Sequence, residues 1–172
     1  MAVLEILTYP DPRLKRRAAP VEVFDAELRG FVADLGQTLD QGPGAVGIAA
    51  PQVGRAQRVL IIDIRSLLAG RKRRLKTSNH GRRVLINPEI VAREGEVSGR
   101  EGCLSVPDFT GNVVRARAVR LKAAGVDGAV SSYEFEGFEA RVVQHELDHL
   151  DGILFLDRVM SARELFRRQV YK

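Results

Sequence analysis

The order of amphipathic segments predicts an α+β fold, with antiparallel β-sheets packed around a central helix that carries the motif His-Glu-x-x-His. Three observations support it: a helical pattern near the amino terminus, short β-branched segments in the middle, and a second helical pattern from Phe138. A chain of 172 residues, 45% of them hydrophobic, can bury one core. We therefore expect a single domain over residues 1–172.

The N-terminal helix is predicted from "FDAELRGFVADLGQTLD", where apolar residues recur three or four positions apart from Phe24 to Leu39. Gly42, Pro43 and Gly44 follow this stripe. Glycine and proline are typical of positions where a helix stops, so we expect the helix to end there.

The middle of the chain predicts strands. "RVLIID" and "RVLINPEIV" are β-branched and lie on either side of "RKRRLKTSNHGRR", a basic segment from Arg71 to Arg83 that we interpret as an exposed loop. "AVRLKAAG" and "AVSSYEFEG" flank Asp127-Gly128, a pair that favours a hairpin turn.

The second helix is predicted by an apolar stripe of Ala140, Val143, Leu147 and Leu150, and Gly152 is its expected stop. Farther along, Ser161 and Glu164 have the spacing of a capping box. They predict a short, basic C-terminal helix over "ELFRRQVYK".

Composition limits the class of protein. The formal net charge of +5 and the pI of 9.8 permit attraction to nucleic acid or another anionic surface. No apolar stretch approaches the roughly 18 residues of a membrane span, and the start of the chain does not resemble a signal peptide. We expect a soluble, intracellular protein with no membrane partner. Its single cysteine, Cys103, excludes an internal disulfide.

The motif in "VVQHELDHLDG" indicates a metal site. His145 and His149 are four residues apart, so they share one face of a helix and can bind one ion. Glu146 lies beside them and can reach a water molecule on that ion without occupying a coordination position. Many zinc proteases use this pattern, so a peptidase is one possible class.

The identity of a third ligand separates the possible classes. Phe155 occupies the position of the final histidine in the extended metzincin pattern, and a phenyl ring cannot coordinate a metal. Chemistry leaves open four other side chains: the carboxylates Asp151, Asp157 and Glu164, and the thiol of Cys103 in "EGCLS". Cys103 would give a Cys1His2 site with a fourth position open for water. His80 is expected to be a surface residue.

Three segments resemble the signature motifs of the peptide deformylase family, in their usual order: "GIAAPQVG", "EGCLS" and "QHELDHLDG". "ILTYPDPRLKRRAAPV" and "RVLINPEIV" are also similar to that family. The resemblance implies a cytoplasmic enzyme that removes the N-formyl group from the initiator methionine of newly synthesised polypeptides and releases formate.

The resemblance also implies roles for individual residues. Cys103, His145 and His149 would bind the metal, with Glu146 as general acid/base for attack of metal-bound water on the formyl carbon. The Gln52 amide and the Leu104 N–H would bind the formyl oxygen. The substrate would contact Val46, Gly47, Glu101, Gly102, Phe138 and Val142, of which Val46, Phe138 and Val142 would form an apolar pocket for the methionine side chain. The family prefers Fe²⁺, and Zn²⁺, Ni²⁺ or Co²⁺ are also compatible with these ligands.

Some features leave alternatives open. Ala45 and Ile48 depart slightly from the family pattern, while Asp108 and Thr110 stand where many members have glycine and arginine, which leaves peptide preference open. Asp148 could orient a ligating histidine or be a solvated helix carboxylate.

The basic segments could contact the ribosome. The alternative functions are a His-Glu-x-x-His peptidase and a noncatalytic ribosome- or RNA-binding homologue.

Overall fold

The computed structural model describes residues 2–69 and 76–168, and within them it confirms an α+β fold with an antiparallel sheet. The strands are β1 (Gly47–Ala49), β2 (Val59–Ile62), β3 (Arg83–Cys103), β4 (Val106–Ala124), β5 (Val130–Glu136) and β6 (Leu165–Arg167). The helices are α1 (Ala26–Gln41), α2 (Arg65–Ala69), α3 (Gly137–Leu150) and α4 (Phe155–Arg158). In the part of the chain so described, the strands form one six-stranded sheet in the order β1-β2-β3-β4-β5, with β6 paired to β4.

Helix α1 forms where the apolar stripe predicts it. Its N-cap is Asp25, whose carboxylate accepts a hydrogen bond of 2.9 Å from the N–H of Leu28. Gly42 is the C-cap, as expected. The buried side chains of the helix, including Leu35 and Leu39, pack against the sheet.

Strand β2 is buried on both faces and lies between two helices. Val59 and Ile61 pack in the cluster that contains α1, whereas Leu60 and Ile62 pack in the cluster that contains α3. A strand covered on both faces has no polar face, which explains the continuous apolar run "VLII". Helix α3 therefore lies on the side of the sheet opposite α1.

The long strands β3 and β4 form a hairpin, and residues of both strands contact side chains of α3. Their register shifts between Gly102 and Cys103, where the hairpin turns. At the other end of β4, the predicted Asp127-Gly128 turn is confirmed, with Gly128 at φ 81° and its N–H donating to the carbonyl of Gly125.

The described end of the basic segment packs against the start of α3. Thr77 Oγ1 accepts a hydrogen bond from the N–H of Glu139, and Ser78 Oγ donates to the Glu139 carboxylate at 2.6 Å. His80 lies with Nδ1 2.8 Å from Glu139 Oε2 and keeps 29% of its side chain exposed, so it is a half-buried residue at the surface. The remainder of the segment, residues 71–75, lies outside the described residues.

Helix α3 has the predicted stripe and the predicted stop. Ala140, Val143, Leu147 and Leu150 are all buried. Gly152 has φ +71°, and a Cβ atom there would lie 2.5 Å from the backbone oxygen of Lys15. Only glycine fits this left-handed turn against a neighbouring backbone.

The predicted C-terminal helix is wrong. Ser161 makes no side-chain cap, and Leu165–Arg167 form β6, which pairs with Phe109–Gly111 of β4. Leu165 packs in an apolar cluster with Phe155, so edge pairing and burial outweigh the local helical pattern. Residues 169–172 lie outside the described part of the chain.

Across residues 2–69 and 76–168, none of the helices combines the length and the hydrophobicity that a membrane crossing requires.

Candidate metal centre

His145 and His149 lie one turn apart on α3 and face the same site. Their ring centroids are 5.0 Å apart and the rings meet edge-on. Both side chains are buried, because α3 is covered along nearly its whole length by the sheet. The helical spacing of four residues therefore produces the pair of imidazoles that the sequence predicts.

Cys103 joins them from the end of β3. Its Sγ atom lies 3.2 Å from Nε2 of His149, and one ligand atom from each of Cys103, His145 and His149 lies within 4.8 Å of the others. The cysteine is buried and free. Burial by itself raises the pKa of the Cys103 thiol, but the charge of His149 and hydrogen bonds from both histidines hold that pKa well below its ordinary value.

The three carboxylates that chemistry left open as alternative ligands are engaged elsewhere. Asp151 pairs with Arg58 at 2.7 Å, and Asp157 accepts hydrogen bonds from Lys15 and the N–H of Leu154. Glu164 accepts from Asn112. These contacts place the three carboxylates outside the cluster and leave Cys103 as the side chain that completes it.

Glu101 fixes the orientation of His145. Its Oε2 atom lies 2.9 Å from Nδ1 of His145. Arg115 forms a fork on the same carboxylate, with two hydrogen bonds of 2.9 Å, and Arg141 donates to it at 2.8 Å. Burial would raise the pKa of Glu101, but the hydrogen bonds from Arg115 and His145 hold it well below the ordinary value. A carboxylate in this state only accepts, so the proton resides on Nδ1 and Nε2 of His145 is left for a metal.

The expectation that Glu101 contacts the substrate stays a prediction. The side chain lies along the cleft, but both of its oxygens are occupied by protein groups and it is only 4% exposed. Its contacts are those of a residue that positions a metal ligand.

Asp148 has neither of the roles considered for it. It is buried and accepts hydrogen bonds from Arg115 and Arg158 instead of contacting a histidine. Arg115 thus links the carboxylates of Glu101 and Asp148 behind the metal ligands. This buried ionic cluster was not anticipated from the sequence.

Glu146 lies on the floor of the cleft. It is buried, and its Oε2 atom has no hydrogen-bond partner among the described residues. Burial raises its pKa to about 7, although the nearby charges of His145 and His149 oppose that rise. A carboxyl group with a pKa near neutrality can both accept and donate a proton at physiological pH.

Gln52 is held beside Cys103 with its amide orientation fixed. Its Oε1 atom accepts from the N–H of Ala49 at 2.8 Å, which turns the NH₂ group toward Ser105 Oγ at 3.2 Å and Cys103 Sγ at 3.5 Å. Leu104 lies in the adjacent β3–β4 turn and lines the same cleft.

The cleft above these groups has a volume of about 210 Å³. Most of the residues predicted from the sequence line it: Val46, Gly47, Gln52, Glu101, Gly102, Cys103, Leu104, Phe138, Val142, His145 and Glu146. His149 lies behind this surface and is 1% exposed. Arg100, Arg141 and Arg168 also line the cleft and were not anticipated.

Sequence reasoning could have found one of the unanticipated arginines, Arg141, but not another, Arg115. Arg141 lies four residues before His145, so the helical period alone places it on the ligand face. Arg115 reaches Glu101 across the β3–β4 hairpin, a contact that no local pattern reveals.

The donor set suits a divalent transition metal. One thiolate and two imidazoles in a buried cluster are the ligand types of catalytic metal sites. Such sites have three protein ligands and keep a fourth coordination position open for water or substrate. Glu146 adds an unpaired carboxylate oxygen on the cleft side of the same cluster. The residues present therefore fit a single metal ion, and the same donors suit iron, zinc, nickel or cobalt.

Comparison with known proteins identifies close relatives. The sequence profile of the family described as "Polypeptide deformylase" matches residues 3–164. A peptide deformylase of Alkalilimnicola ehrlichii is 44% identical over 173 residues, which cover 100% of this chain and 91% of the relative. One from Syntrophobacter fumaroxidans is 41% identical over 98% of this chain and 94% of the relative.

Solved structures give the same result. A crystal structure of a peptide deformylase from Legionella pneumophila has a TM-score of 0.82 and 40% identity, covering 95% of this chain and 89% of that one. A Met-Ala-Ser-bound class I type b peptide deformylase from Acinetobacter baumannii has a TM-score of 0.83 and 38% identity, covering 92% and 99% of the two chains.

Proposed function

The chain belongs to the polypeptide deformylase family of metallohydrolases, and we propose that it hydrolyses the formyl amide of N-terminal formylmethionine and releases formate. The observation that carries this proposal is the position of Glu146. A buried carboxyl group with a pKa of about 7 lies beside a Cys-His-His cluster at the floor of a cleft. This is the arrangement that amide hydrolysis by an activated water molecule requires.

Cys103, His145 and His149 would hold the metal. A divalent ion bound there supplies a Lewis acid that lowers the pKa of a water molecule from 15.7 toward about 7. Fe²⁺ is the ion that we propose for the cell, and Zn²⁺, Ni²⁺ and Co²⁺ suit the same donors. Glu101 keeps the Nδ1 proton on His145, so that Nε2 would be available to bind the ion.

Glu146 moves the proton. In its ionised form the carboxylate accepts a proton from the attacking water, and in its neutral form it delivers that proton to the nitrogen of the departing amine. Its pKa of about 7 makes both forms available near neutral pH. The close packing of Gly47 against Glu146 keeps the carboxyl group over the floor of the cleft.

Gln52 and Leu104 stabilise the negative charge that develops on the formyl oxygen. The Gln52 NH₂ group is already aimed at the Cys103 side of the site because its oxygen is bound to Ala49. Together with the N–H of Leu104 it would act as an oxyanion hole, in which one donor typically contributes about 2.7–4 kcal/mol to the barrier.

The apolar side chains on the wall of the cleft indicate the kind of substrate. Val46, Phe138 and Val142 line it and would bury a methionine side chain, which is favourable by about 25 cal/mol per Å² of apolar area. The Acinetobacter relative bound to Met-Ala-Ser has a peptide of this kind in its structure. Nascent formylmethionyl polypeptides in the cytoplasm are the proposed substrates, and the net charge of +5 is compatible with docking on the ribosome.

The products of formyl-Met-Ala-Ser test this function. Iron-loaded protein, assayed without oxygen, should convert it to formate and intact Met-Ala-Ser, as detected by mass spectrometry. Fragments from internal cleavage of formylated and unformylated peptides would instead identify a peptidase. Neither product, with salt-sensitive RNA binding, would indicate a noncatalytic homologue.

Cys103→Ser tests the metal site separately. The variant should bind substoichiometric metal, because the thiolate is one of three proposed ligands. Ser66→Ala, at an exposed position of α2, provides a control. Unchanged metal content in Cys103→Ser would remove Cys103 from the ligand set.

A further inference from the structure

Two arginine side chains, Arg100 and Arg168, are exposed, line the cleft and form no ion pair within residues 2–69 and 76–168. Arg100 is held by neutral partners. Its Nε atom donates to Asn112 Oδ1 at 3.0 Å, Nη1 donates to Thr110 Oγ1 at 3.2 Å, and the guanidinium lies 3.5 Å from the ring centroid of Phe166. Its orientation is fixed, but none of the described residues neutralises its charge.

Arg168 follows β6 and lies against the residue that precedes the cysteine of the metal cluster. Its N–H donates to the carbonyl of Asp108 at 2.8 Å, which continues the pairing with β4. A Cβ atom added to Gly102 would lie 3.5 Å from Cζ of Arg168. Pairing of β6 thus holds a second guanidinium against Gly102, and it has no ion-pair partner among the described residues.

The other charged groups that line the cleft do not offset these two charges. Arg141 and His145 both contact Glu101, so these three form one ionic group. Glu146 is buried, whereas Arg100 and Arg168 are exposed. The exposed part of the cleft is therefore positively charged, while its wall and floor also provide apolar contacts.

We propose that Arg100 and Arg168 make the enzyme select peptides with an acidic side chain at the second or third residue. This inference rests on the proposed function. In an extended peptide whose formyl group lies at Cys103, the second and third residues would lie about 7 and about 10 Å from that formyl group. A carboxylate there can accept a forked pair of hydrogen bonds from either guanidinium.

Matched peptide amides test the preference. Formyl-Met-Ala-Glu-amide is compared with formyl-Met-Ala-Gln-amide and formyl-Met-Ala-Lys-amide, and formyl-Met-Glu-Ala-amide is compared with formyl-Met-Gln-Ala-amide. The C-terminal amide removes the terminal carboxylate, which would otherwise be a second acidic group in each peptide. We expect kcat/KM to be about threefold to tenfold higher for Glu than for Gln at one of these positions, through KM, and lowest for Lys. The advantage should shrink as salt is raised, because exposed charges are screened.

Variants assign the effect to these side chains. Arg168→Gln and Arg100→Gln should each reduce the Glu/Gln ratio, and the double variant should bring it to about one, whereas Arg168→Lys should retain part of it. Arg163→Gln is the matched control, since Arg163 is exposed, precedes β6 and lies outside the cleft. Turnover of the Gln peptide shows that each variant is folded and active.

Direct binding measurements test the preference for acidic side chains independently of whether the protein hydrolyses the formyl group. Calorimetry with the unformylated peptides Met-Ala-Glu-amide and Met-Ala-Gln-amide, and with Met-Glu-Ala-amide and Met-Gln-Ala-amide, measures the charge preference without turnover. Absence of formate from every peptide would defeat the proposed function, while the binding ratio would still decide the preference. Equal binding and equal kcat/KM of each Glu/Gln pair, or a preference that survives in the double variant, would overturn the inference.

Discussion

The Nδ1 atom of His145 lies 2.9 Å from Oε2 of Glu101, and this contact couples a strand residue to a helix residue of the metal cluster. Partners of this kind fix the tautomer of a ligating histidine, and their loss typically lowers metal affinity about 10–100-fold. We expect Glu101→Gln to weaken metal binding by that factor, measured by competition with a chelator. Glu94→Gln, an exposed change on the same strand, is the control. Equal affinities of the two variants would contradict this role.

Arg115 should matter for stability. It is buried and bonds the carboxylates of Glu101 and Asp148, so its loss leaves two buried charges with fewer partners. We expect Arg115→Met to lower the free energy of unfolding by about 3 kcal/mol in urea titrations. Arg117→Met breaks an exposed pair with Glu94 and should cost at most about 1 kcal/mol. Similar losses in both variants would show that the buried cluster is not stabilising.

Gly47 should be needed for the position of the catalytic carboxyl group. A Cβ atom at Gly47 would lie 2.8 Å from Cγ of Glu146, which is closer than carbon atoms pack. We expect Gly47→Ala to lower kcat about 100-fold by displacing Glu146, with metal content retained. Gly30→Ala, where an added Cβ has no neighbour within 4 Å, should leave kcat unchanged. Full activity of Gly47→Ala would contradict the packing argument.

The raised pKa of Glu146 predicts a pH-dependent stability in the metal-free protein. Burial raises this pKa from 4.5 to about 7, so the folded state holds a proton between these values that the unfolded state releases. The free energy of unfolding should therefore fall as pH rises through this window. Glu146→Gln removes the titration and should be more stable than wild type by on the order of 3 kcal/mol at about pH 8, with little difference below about pH 4.5.

Urea unfolding at several pH values measures this difference. Glu89→Gln, at an exposed position, should show no such dependence. A constant difference between Glu146→Gln and wild type across the pH range would mean that Glu146 does not titrate as its burial requires.

The sequence predicts those parts of the site that depend on local spacing. Two histidines four residues apart on an apolar helix must share a face, and Phe155 shows that a metzincin histidine is missing. The resemblance of "EGCLS" to a family motif then points to Cys103, and the structure brings its Sγ atom next to His149.

Contacts between distant segments could not be predicted. Arg115 meets Glu101 because β3 and β4 form a hairpin with one specific register, and Arg158 meets Asp148 only after the chain turns at Gly152. The C-terminal helix was wrong for a related reason. Capping-box spacing is a local signal, whereas pairing of Leu165–Arg167 with β4 depends on a free strand edge that the local pattern does not show.

The rate of formate release from formyl-Met-Ala-Ser, with iron-loaded wild type beside iron-loaded Glu146→Gln, tests whether Glu146 drives deformylation. We expect formate and Met-Ala-Ser in equal amounts from wild type. We expect a rate about 10²–10⁴-fold lower from Glu146→Gln at equal metal content, because that variant cannot move the proton. Equal rates from the two proteins, or no formate from either, would contradict the assignment of Glu146 as the group that drives deformylation.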